Sequence, residues 1–562
     1  MRTEKVSRLP ETEYDFIMPK IPFWIFIIIG LLYLTALRVD TMDVDASQYA
    51  EISREMMRSG DYLHIYDRGA EYLDKPPMLF WLSALSMRIF GVGNIGYKLP
   101  SVFFAIWSLF PTYRLGKRLY DDATGRMAAL ILASCQGMFL MTNDIRCDTI
   151  LMAWVITAMW LIQEWAHSRK ILFLMGGAAA IACGMMTKGP IALMVPVFGF
   201  GTHWLLQRNW KNIFNPAHLL AIVVIALLLI PMSIGLYQQF DMHPEKLVNG
   251  TTGVSGLRFF YWSQSFGRIT GESPWNNGAG IDFLLLNMLW SFLPWIFLFM
   301  TGLITNCIVL VRQRFRLQQG QEWITTGGFI LAYLALGSSA YQLPHYIFVA
   351  FPLAAIITAR YIAVSMENIR LNKVLLYSHG TISFLLLSVI LLIISYVFPA
   401  GNMVILLWMV LTVVWVFLVF SKNLTGKLLW LPAAAIIIVN IFFTNFFYAP
   451  LLQYQVGSQV GRYMQQQHIA ASDVVSYKAD DPLNAMHFYA QGVISGIDTL
   501  AALQKPYLLT SGRGMEDLLK TNLKYEVVRT GSFYKVSELT PEFLNPKTRA
   551  TAMKQYYLLR FH

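Results

Sequence analysis

Long apolar segments recur along the first four fifths of this 562-residue chain. A helix that crosses a membrane needs about 20 consecutive, mostly apolar residues. Segments of this kind predict about thirteen spanning helices, and therefore an α-helical integral membrane protein. They lie near residues 21–38, 97–116, 125–142, 148–166, 171–187, 189–206, 217–238, 282–311, 324–340, 343–361, 374–398, 402–421 and 428–447.

The chain changes character near residue 449, where the long apolar segments end. Strand-like runs at 473–478, 506–510 and 525–529 alternate with helix-like runs at 456–467 and 515–521. Alternation of this kind predicts a small α/β domain of about 110 residues.

Basic residues fall in alternate connections between the predicted spans. If the N-terminus is cytoplasmic, every connection on that side is short and basic, as the positive-inside rule requires. These connections contain Arg114, Lys117, Arg118, Arg169, Lys170, Arg208, Lys211, Arg312, Arg314, Arg316, Arg370, Lys373, Lys422 and Lys427. An odd number of spans then leaves the tail outside. We therefore expect a membrane domain of residues 1–448 and an outer domain of residues 449–562, with long outer loops at 39–96 and 239–281.

The composition agrees with this interpretation. Hydrophobic residues make up 56% of the chain and charged residues 14%, whereas a soluble domain has about 25% charged residues. The net charge of +11 is attributed to basic cytoplasmic loops and not to a nucleic-acid partner. The four cysteines show no C-x-x-C spacing, so neither a disulfide framework nor a zinc site is expected. Mixed charge before the first span, with no small-residue cleavage site after it, predicts a retained anchor.

Charged and aromatic residues are concentrated between Asp43 and Met78, directly after the first span. Asp43 and Asp45 form a D-x-D pair, whose carboxylates share a face only in an extended segment. Such a pair is a candidate metal site, although isolated D-x-D strings are common. Asp45 alone is a candidate general base. The alternative is that it caps a helix beginning near Ser47.

An acid, a base and two prolines follow in the run Asp74-Lys75-Pro76-Pro77. Proline fixes its own φ and restricts the preceding residue to extended conformations. Lys75 is therefore presented in a defined direction, and its ammonium group suits a phosphate at the membrane surface. The alternative is an exposed ion pair between Asp74 and Lys75. Asp74 is also counted with Asp43 as a candidate metal ligand.

Further ionisable residues stand at the outer ends of other spans. Asp148 opens the fourth span, where a carboxylate favours the helix N-terminus, and the short turns 187–190 and 341–345 carry more polar groups than a turn needs. Such residues are functional candidates because burying an unpaired charge is costly; the alternative for each is simple hydration. The sequence contains neither a P-loop nor a strand-flanked G-x-G-x-x-G motif. A lipid-carried donor is therefore expected in place of a cytosolic nucleotide sugar.

The first outer loop resembles that of the aminoarabinose (4-amino-4-deoxy-L-arabinose) lipid A transferases and of the wider protein-mannosyltransferase-like group. The family pattern is D-E-x-x-Y-A-E-I-x-R-E-M, then G-D-W, then E-K-P-P-L. The matching positions are 45–56, 60–61, 74–78, Asp148, 187–190 and 343–352. The resemblance extends over about residues 20–360. The sequence departs from the pattern at Ala46, Asp74 and Gln342.

The resemblance implies a membrane-embedded glycosyltransferase of the GT-C fold, with about thirteen transmembrane helices and a small C-terminal periplasmic α/β domain. It also implies an undecaprenyl-phosphate sugar donor and a cavity open to the periplasm, covered by the loops 39–96 and 239–281. By resemblance, Asp45 and Asp148 are the catalytic residues. The residues implied to bind the donor phosphate or the substrate are Tyr49, Lys75, Lys188, Arg268, His345 and Tyr346.

The expected reaction is inverting transfer of an aminoarabinose-like pentose or a hexose from undecaprenyl phosphate to lipid A or another periplasmic acceptor. The alternatives are a protein O-glycosyltransferase of the same fold and a transporter of lipid-linked sugars. Transporters often have helices broken at the bilayer midplane, whereas the polar residues here cluster at one face. Expected partners are the donor, a lipid A, glycan or protein acceptor and the lipids of the bacterial inner membrane, without nucleic acid. No cofactor is indicated beyond a divalent metal at Asp43 or Asp74.

Overall fold

The computed structural model describes residues 21–272, 275–318, 320–365, 369–420 and 424–561. Helices account for most of the described chain. The longer helices are α1 (Trp24–Thr35), α2 (Asp45–Ser59), α3 (Met78–Phe90), α4 (Asn94–Leu119), α5 (Asp122–Ala133), α6 (Gln136–Asn143), α7 (Cys147–Ser168), α8 (Ile171–Lys188), α9 (Ile191–Leu206), α10 (Ala217–Leu236), α11 (Phe283–Ser291), α12 (Ile296–Arg312), α13 (Ile324–Gly337), α14 (Phe351–Ser365), α15 (Ile369–Leu392), α16 (Asn402–Phe420), α17 (Leu424–Phe442), α18 (Val456–Gln466), α19 (Asn484–Ala490) and α20 (Gly512–Leu518). Short helices lie at Trp210–Ile213, Gly256–Arg258, Phe266–Thr270, Tyr448–Leu451 and Pro541–Leu544.

Within the described residues, six helices are long and apolar enough to cross a membrane, and the bent pair of α5 and α6 adds a seventh if it counts as one span. The six are Cys147–Ser168, Ile171–Lys188, Trp210–Asp241, Pro344–Val364, Lys373–Val397 and Gly426–Tyr454. Six shorter apolar helices of 10–17 residues are further candidates. A described helix lies on each predicted segment. The predicted α-helical membrane fold is confirmed, whereas the number of helices that cross the membrane stays a prediction.

Two of the predicted spans are not single straight helices. Residues 282–311 form α11 and α12, because Pro294 has no N–H to donate and interrupts the helix between them. Residues 125–142 form α5 and α6, which are bent by 51°. The backbone N–H of Gln136 donates to the carbonyl of Leu293 at 2.9 Å. The two breaks therefore lie against each other.

The outer loop 39–96 is itself folded. Helix α2 ends at Gly60, whose φ of 73° is left-handed and favours glycine. A hairpin of β1 (Tyr66–Asp67) and β2 (Ala70–Glu71) follows, and α3 begins directly after Pro77. The loop therefore contains two helices and a hairpin, and its polar groups have fixed positions.

The C-terminal part contains a mixed five-stranded sheet in the order β4-β3-β5-β7-β6. Its strands are β3 (Val474–Tyr477), β4 (Ser495–Ile497), β5 (Tyr507–Ser511), β6 (Tyr525–Phe533) and β7 (Lys554–Phe561). Strand β3 runs parallel to β4 and β5, whereas β7 runs antiparallel to β5 and β6. Helix α19 packs between α18 and α2 of the outer loop. The predicted small α/β domain is confirmed, and its boundary near residue 449 stays a prediction.

Candidate active site

The candidate residues meet where four elements of the fold come together. These are the first turns of α2 and α7, the last residue of α8 and a 3-10 segment at Pro344–Ala350. Helix α7 packs against α8 and against this segment. Residues from distant parts of the sequence therefore face one another at one end of the helices.

Asp148 lies in the first turn of α7, and its side chain is 2% exposed. Its Oδ1 atom accepts a hydrogen bond from Nζ of Lys188 at 2.5 Å, and its Oδ2 atom lies 3.6 Å from Nε2 of His345. A buried carboxylate requires partners of this kind, because an unpaired charge away from water is costly. Asp148 is therefore held by two other residues of the predicted site.

Lys188 is the last residue of α8, where a cation favours the helix C-terminus. The helix ends there because Gly189 adopts a φ of 93°, a conformation that favours glycine. Nζ of Lys188 lies 3.9 Å from the centre of the Tyr346 ring, within cation–π distance. The Tyr346 hydroxyl accepts from Nη1 of Arg268 at 3.0 Å. These contacts join three predicted residues into one cluster.

Asp45 is the first residue of α2, and its side chain is 36% exposed. Its Oδ2 atom accepts from Nη1 of Arg146, whose Nε and Nη2 donate to Asp144 at 3.1 and 2.9 Å. Burial disfavours the charged guanidinium, but the carboxylates of Asp144 and Asp45 raise the pKa of Arg146 above its ordinary value. The alternative in which Asp45 caps a helix beginning at Ser47 is wrong, because the helix begins at Asp45 and no side-chain cap is formed.

A cavity of about 80 Å³ lies beside this cluster. Three cations from separate elements line it, namely Lys75, Lys188 and Arg268. The other lining residues are Ile191, Met194, Gln264, Ser265, Phe266, Ala335, Leu336, Ser339 and Tyr346. The lining therefore combines positive charge with apolar surface.

Lys75 reaches this cavity without a partner of its own. Within the ranges that the structure describes, its Nζ makes no hydrogen bond or ion pair. Oδ1 of Asp74 instead accepts from Nδ2 of Asn249 at 3.1 Å, and the Asp74 carbonyl accepts from Nε2 of Gln264. The alternative of an Asp74–Lys75 ion pair is therefore wrong. The proline at 76 disfavours helical backbone before it, so consecutive side chains point in different directions.

Tyr341 lies beside Arg268 of the cavity lining. Burial raises the pKa of its phenol, Tyr346 and Asp45 add to the rise, and Lys75 and Arg268 oppose it. The guanidinium carbon of Arg268 is 5.5 Å from the ring centre. The charges of Asp45, Lys75 and Arg268 therefore act on the same phenol.

Four of the candidates line the cavity, and the other six do not; these are Asp43, Asp45, Tyr49, Asp74, Asp148 and His345. Tyr49 is 4% exposed and packs edge-on against Phe80, with ring centres 6.0 Å apart. Asp43 is 7% exposed, and its Oδ1 atom accepts from the backbone N–H of Ala485 at 2.8 Å. In the described part of the chain, no group of three or more His, Cys, Asp or Glu side chains could hold a metal ion. Asp43 and Asp74 have separate partners, and a metal at either stays a prediction.

Four residues that were not among the predicted site residues contribute to it. They are Asp144, Arg146, Gln264 and Tyr341. A local signal existed for the first two, because charged residues alternate with apolar ones in the segment Asp-Ile-Arg-Cys-Asp at 144–148. Tyr341 belongs to the polar turn 341–345, whereas no local signal marks Gln264, whose contact is with the distant Asp74.

The helical membrane part, the folded outer loop and the C-terminal sheet together define a multi-pass membrane protein of the GT-C glycosyltransferase fold. The solved structure of ArnT from Cupriavidus metallidurans bound to undecaprenyl phosphate matches with a TM-score of 0.69 at 15% identity, over 95% of this chain and 97% of that one. An oligosaccharyltransferase from Archaeoglobus fulgidus matches with a TM-score of 0.51 at 11% identity, over 87% of this chain and 70% of that one. These likenesses show the fold.

The sequence comparisons confirm the predicted resemblance. The family described as dolichyl-phosphate-mannose-protein mannosyltransferase matches residues 74–234. The undecaprenyl phosphate-alpha-4-amino-4-deoxy-L-arabinose arabinosyl transferase of Edwardsiella ictaluri is 27% identical over 57% of this chain and 55% of its own. The protein of the same name from Pseudomonas aeruginosa is 28% identical over 48% of each chain. This chain thus spans about half the length of the curated relatives it matches.

Proposed function

We propose that this protein transfers a sugar, an aminoarabinose-like pentose or a hexose, from undecaprenyl phosphate to lipid A or another periplasmic acceptor. The observation that carries the proposal is a cavity lined by Lys75, Lys188 and Arg268, with the Asp148 carboxylate bound to Lys188. The cations suit a phosphate, and the apolar lining suits a polyprenyl chain. The names of the relatives and the ArnT structure with undecaprenyl phosphate support this donor class.

The balance of charge in the cavity favours a phosphate ligand. Asp148 neutralises Lys188 through their 2.5 Å contact. Lys75 and Arg268 have no carboxylate partner among the described residues, and Nε of Arg268 is buried without a hydrogen-bond partner there. Two positive charges are therefore uncompensated. Fixed charges of this kind stabilise a phosphate that gains negative charge as it leaves.

The two candidate carboxylates differ in exposure, and this difference separates their roles. Asp148 is 2% exposed and bound to Lys188. It therefore does not contact the substrate itself, and its role is to orient the lysine. Asp45 is 36% exposed, although Arg146 binds one of its oxygens. Asp45 is therefore the carboxylate that meets the acceptor, and Asp148 is the one that positions a donor-binding cation.

The reaction breaks the bond between the sugar C1 and the phosphate oxygen, and the electron pair leaves with undecaprenyl phosphate. An acceptor oxygen forms a new bond to C1 from the opposite face, which inverts the configuration. When the acceptor is a hydroxyl, its proton passes to Asp45 as general base. When the acceptor is an anionic lipid A phosphate, no proton is released, and the carboxylate orients the sugar or stabilises positive charge at C1.

The remaining predicted residues have supporting roles in this scheme. His345 and Tyr346 border Asp148 and Lys188, and they hold both groups at the cavity wall. Tyr49 is buried behind Asp45 on the same helix and fixes the packing of α2. We further propose that the site opens to the periplasm, with the N-terminus in the cytoplasm and the C-terminal domain in the periplasm. The short, basic connections on the opposite side support this orientation.

Protein O-glycosylation is the second candidate function. The match of residues 74–234 to a family described by protein mannosylation favours it. It uses the same cavity and the same charges and differs only in the acceptor. Identification of the acceptor therefore separates the two functions.

The test is transfer by the purified protein in proteoliposomes, whose closed membrane also reports movement from one side to the other. Undecaprenyl-phosphate aminoarabinose or an undecaprenyl-phosphate hexose is supplied with either lipid A or periplasmic protein, and mass spectrometry follows the product. Glycosylated lipid A is expected, and glycosylated protein would favour the second candidate. Release of intact lipid-linked sugar across the membrane, without a new glycosidic bond, would show a transporter and refute both.

A further inference from the structure

The backbone that leads into Asp45 is held by the C-terminal domain. Asp43 lies two residues before Asp45 and is buried. Its Oδ1 atom accepts from the backbone N–H of Ala485 at 2.8 Å, and the same atom accepts from the hydroxyl of Ser47. Ala485 belongs to α19, so one carboxylate oxygen joins the first turn of α2 to the C-terminal domain.

A second buried side chain, at the start of α18, makes hydrogen bonds to the same backbone. Gln455 is 1% exposed, and its Oε1 atom accepts from the backbone N–H of Asp43 at 2.8 Å. Its Nε2 group donates to the carbonyl of Thr41 at 2.9 Å. The oxygen and the nitrogen of this side-chain amide therefore both make hydrogen bonds to the backbone of residues 41–43. A glutamine that only filled space would not need two backbone partners aligned in this way.

Two further contacts join the C-terminal domain to Thr41 and to α2. The hydroxyl of Tyr489 accepts from the backbone N–H of Thr41 at 2.8 Å. Farther along α2, Arg54 pairs with Glu51 while both are buried, and its Nη1 donates to the carbonyl of Gln491 at 3.1 Å. The C-terminal domain therefore holds α2 at its start and along its length.

From these contacts we infer that the C-terminal domain is a working part of the active site, in which Asp43 and Gln455 are positioning residues that aim Asp45. This inference rests on the proposed function. The cavity cations lie on other elements and make no hydrogen bond or ion pair with Asp43 or Gln455 in the described chain. We call the contacts of Asp43 and Gln455 with residues 41–47 and with Ala485 the clamp. Loss of the clamp should therefore displace the Asp45 carboxylate and leave the donor-binding cations in place.

The amide and carboxylate forms of residue 43 should be nearly equivalent in this role. The contacts of Asp43 use one oxygen as an acceptor, and an asparagine oxygen can accept the same two bonds. A neutral side chain therefore suits this buried position.

The test compares Asp43→Ala, Asp43→Asn and Gln455→Ala in the full-length protein with the lipid-linked donor. Asp43→Ala and Gln455→Ala are expected to lower kcat by about 10- to 100-fold, the scale of a misplaced catalytic group, with the donor KM within about two-fold of wild type. Asp43→Asn should restore most of kcat. The matched control is Asp481→Ala, which removes a carboxylate that accepts from Tyr556 and Lys554 inside the same domain.

A second measurement does not depend on catalysis. Hydrogen exchange of the first turn of α2 should speed up by about ten-fold or more in Asp43→Ala and Gln455→Ala, and not in Asp43→Asn or Asp481→Ala. Unchanged exchange and unchanged kcat in both clamp variants would overturn the inference, as would an equal kcat loss in Asp481→Ala. If the wild type transfers no sugar, the proposed function fails, and the exchange data alone decide whether the clamp exists.

Discussion

Removal of the ammonium group at Lys75 is the most direct test of how the donor is held. Two opposite unit charges 4 Å apart attract by about 4 kcal/mol at an effective dielectric constant of about 20. Lys75 is partly exposed, and the nearby Arg268 retains part of the attraction in its absence. A loss of about 2–3 kcal/mol then corresponds to about 30- to 150-fold, because each 1.36 kcal/mol changes a rate ten-fold.

We therefore expect Lys75→Ala to lower kcat/KM for an undecaprenyl-phosphate sugar by about 30- to 150-fold. Weaker ground-state binding raises KM, and poorer stabilisation of the leaving phosphate lowers kcat. Lys75→Arg keeps the charge but changes its reach and shape, so it should restore only part of the loss. Steady-state kinetics over a range of donor concentrations measure both constants.

The matched control is Lys246→Ala. Lys246 also lies in a long outer loop, but its Nζ pairs with Glu71 at 2.7 Å and does not line the cavity. Its loss should change both constants by less than about three-fold, since pairs of this kind contribute about 0–1 kcal/mol. If Lys75→Ala and Lys246→Ala had the same small effect, the assignment of Lys75 to the donor phosphate would be refuted.

Three further outcomes are expected. Asp45→Asn should abolish transfer in a folded, inserted protein, and near-normal turnover of that variant would remove Asp45 from the reaction. Asp148→Asn should reduce the rate by about 100-fold or more because Lys188 loses the carboxylate that positions it. A variant of lower stability with a normal rate per folded molecule would show that Asp148 has only a structural role. A cysteine placed at Asn402 should react with an impermeant thiol reagent from the periplasm, and one at Gln313 should not, so labelling at Gln313 from outside would reverse the orientation.

The membrane helices and the shared end of the helices at which the candidate residues lie could be predicted from the sequence. Apolar length and alternating basic connections are local signals, and they are sufficient to bring Asp148 and Lys188 to the same side of the membrane. The strands β3, β5 and β6 also show strand-like composition. Strand β4 has only three residues, Ser495–Ile497, which is too short to show alternation.

The pairing of charges could not be predicted, because it depends on contacts between distant residues. Adjacency in the sequence suggested a pair of Asp74 with Lys75, whereas Asp74 binds Asn249. The partner of Asp45 is Arg146, which is 101 positions away. The breaks within the predicted spans 125–142 and 282–311 were also missed, because apolar composition continues through both, although Pro294 is a local signal for the second break.

The D-x-D pair at the start of α2 shows why a short motif does not define a function by itself. A shared metal would require both carboxylates on one face, as in an extended segment. Helix α2 begins at Asp45, and the two side chains have separate partners: Asp43 binds Ala485 of the C-terminal domain, and Asp45 binds Arg146 beside the cavity. Asp43 therefore connects Asp45 to a domain more than 400 residues away in sequence. This link gives the C-terminal domain a direct structural route to the acceptor carboxylate, so substitutions in α19 should affect catalysis even though α19 contributes no residue to the cavity lining.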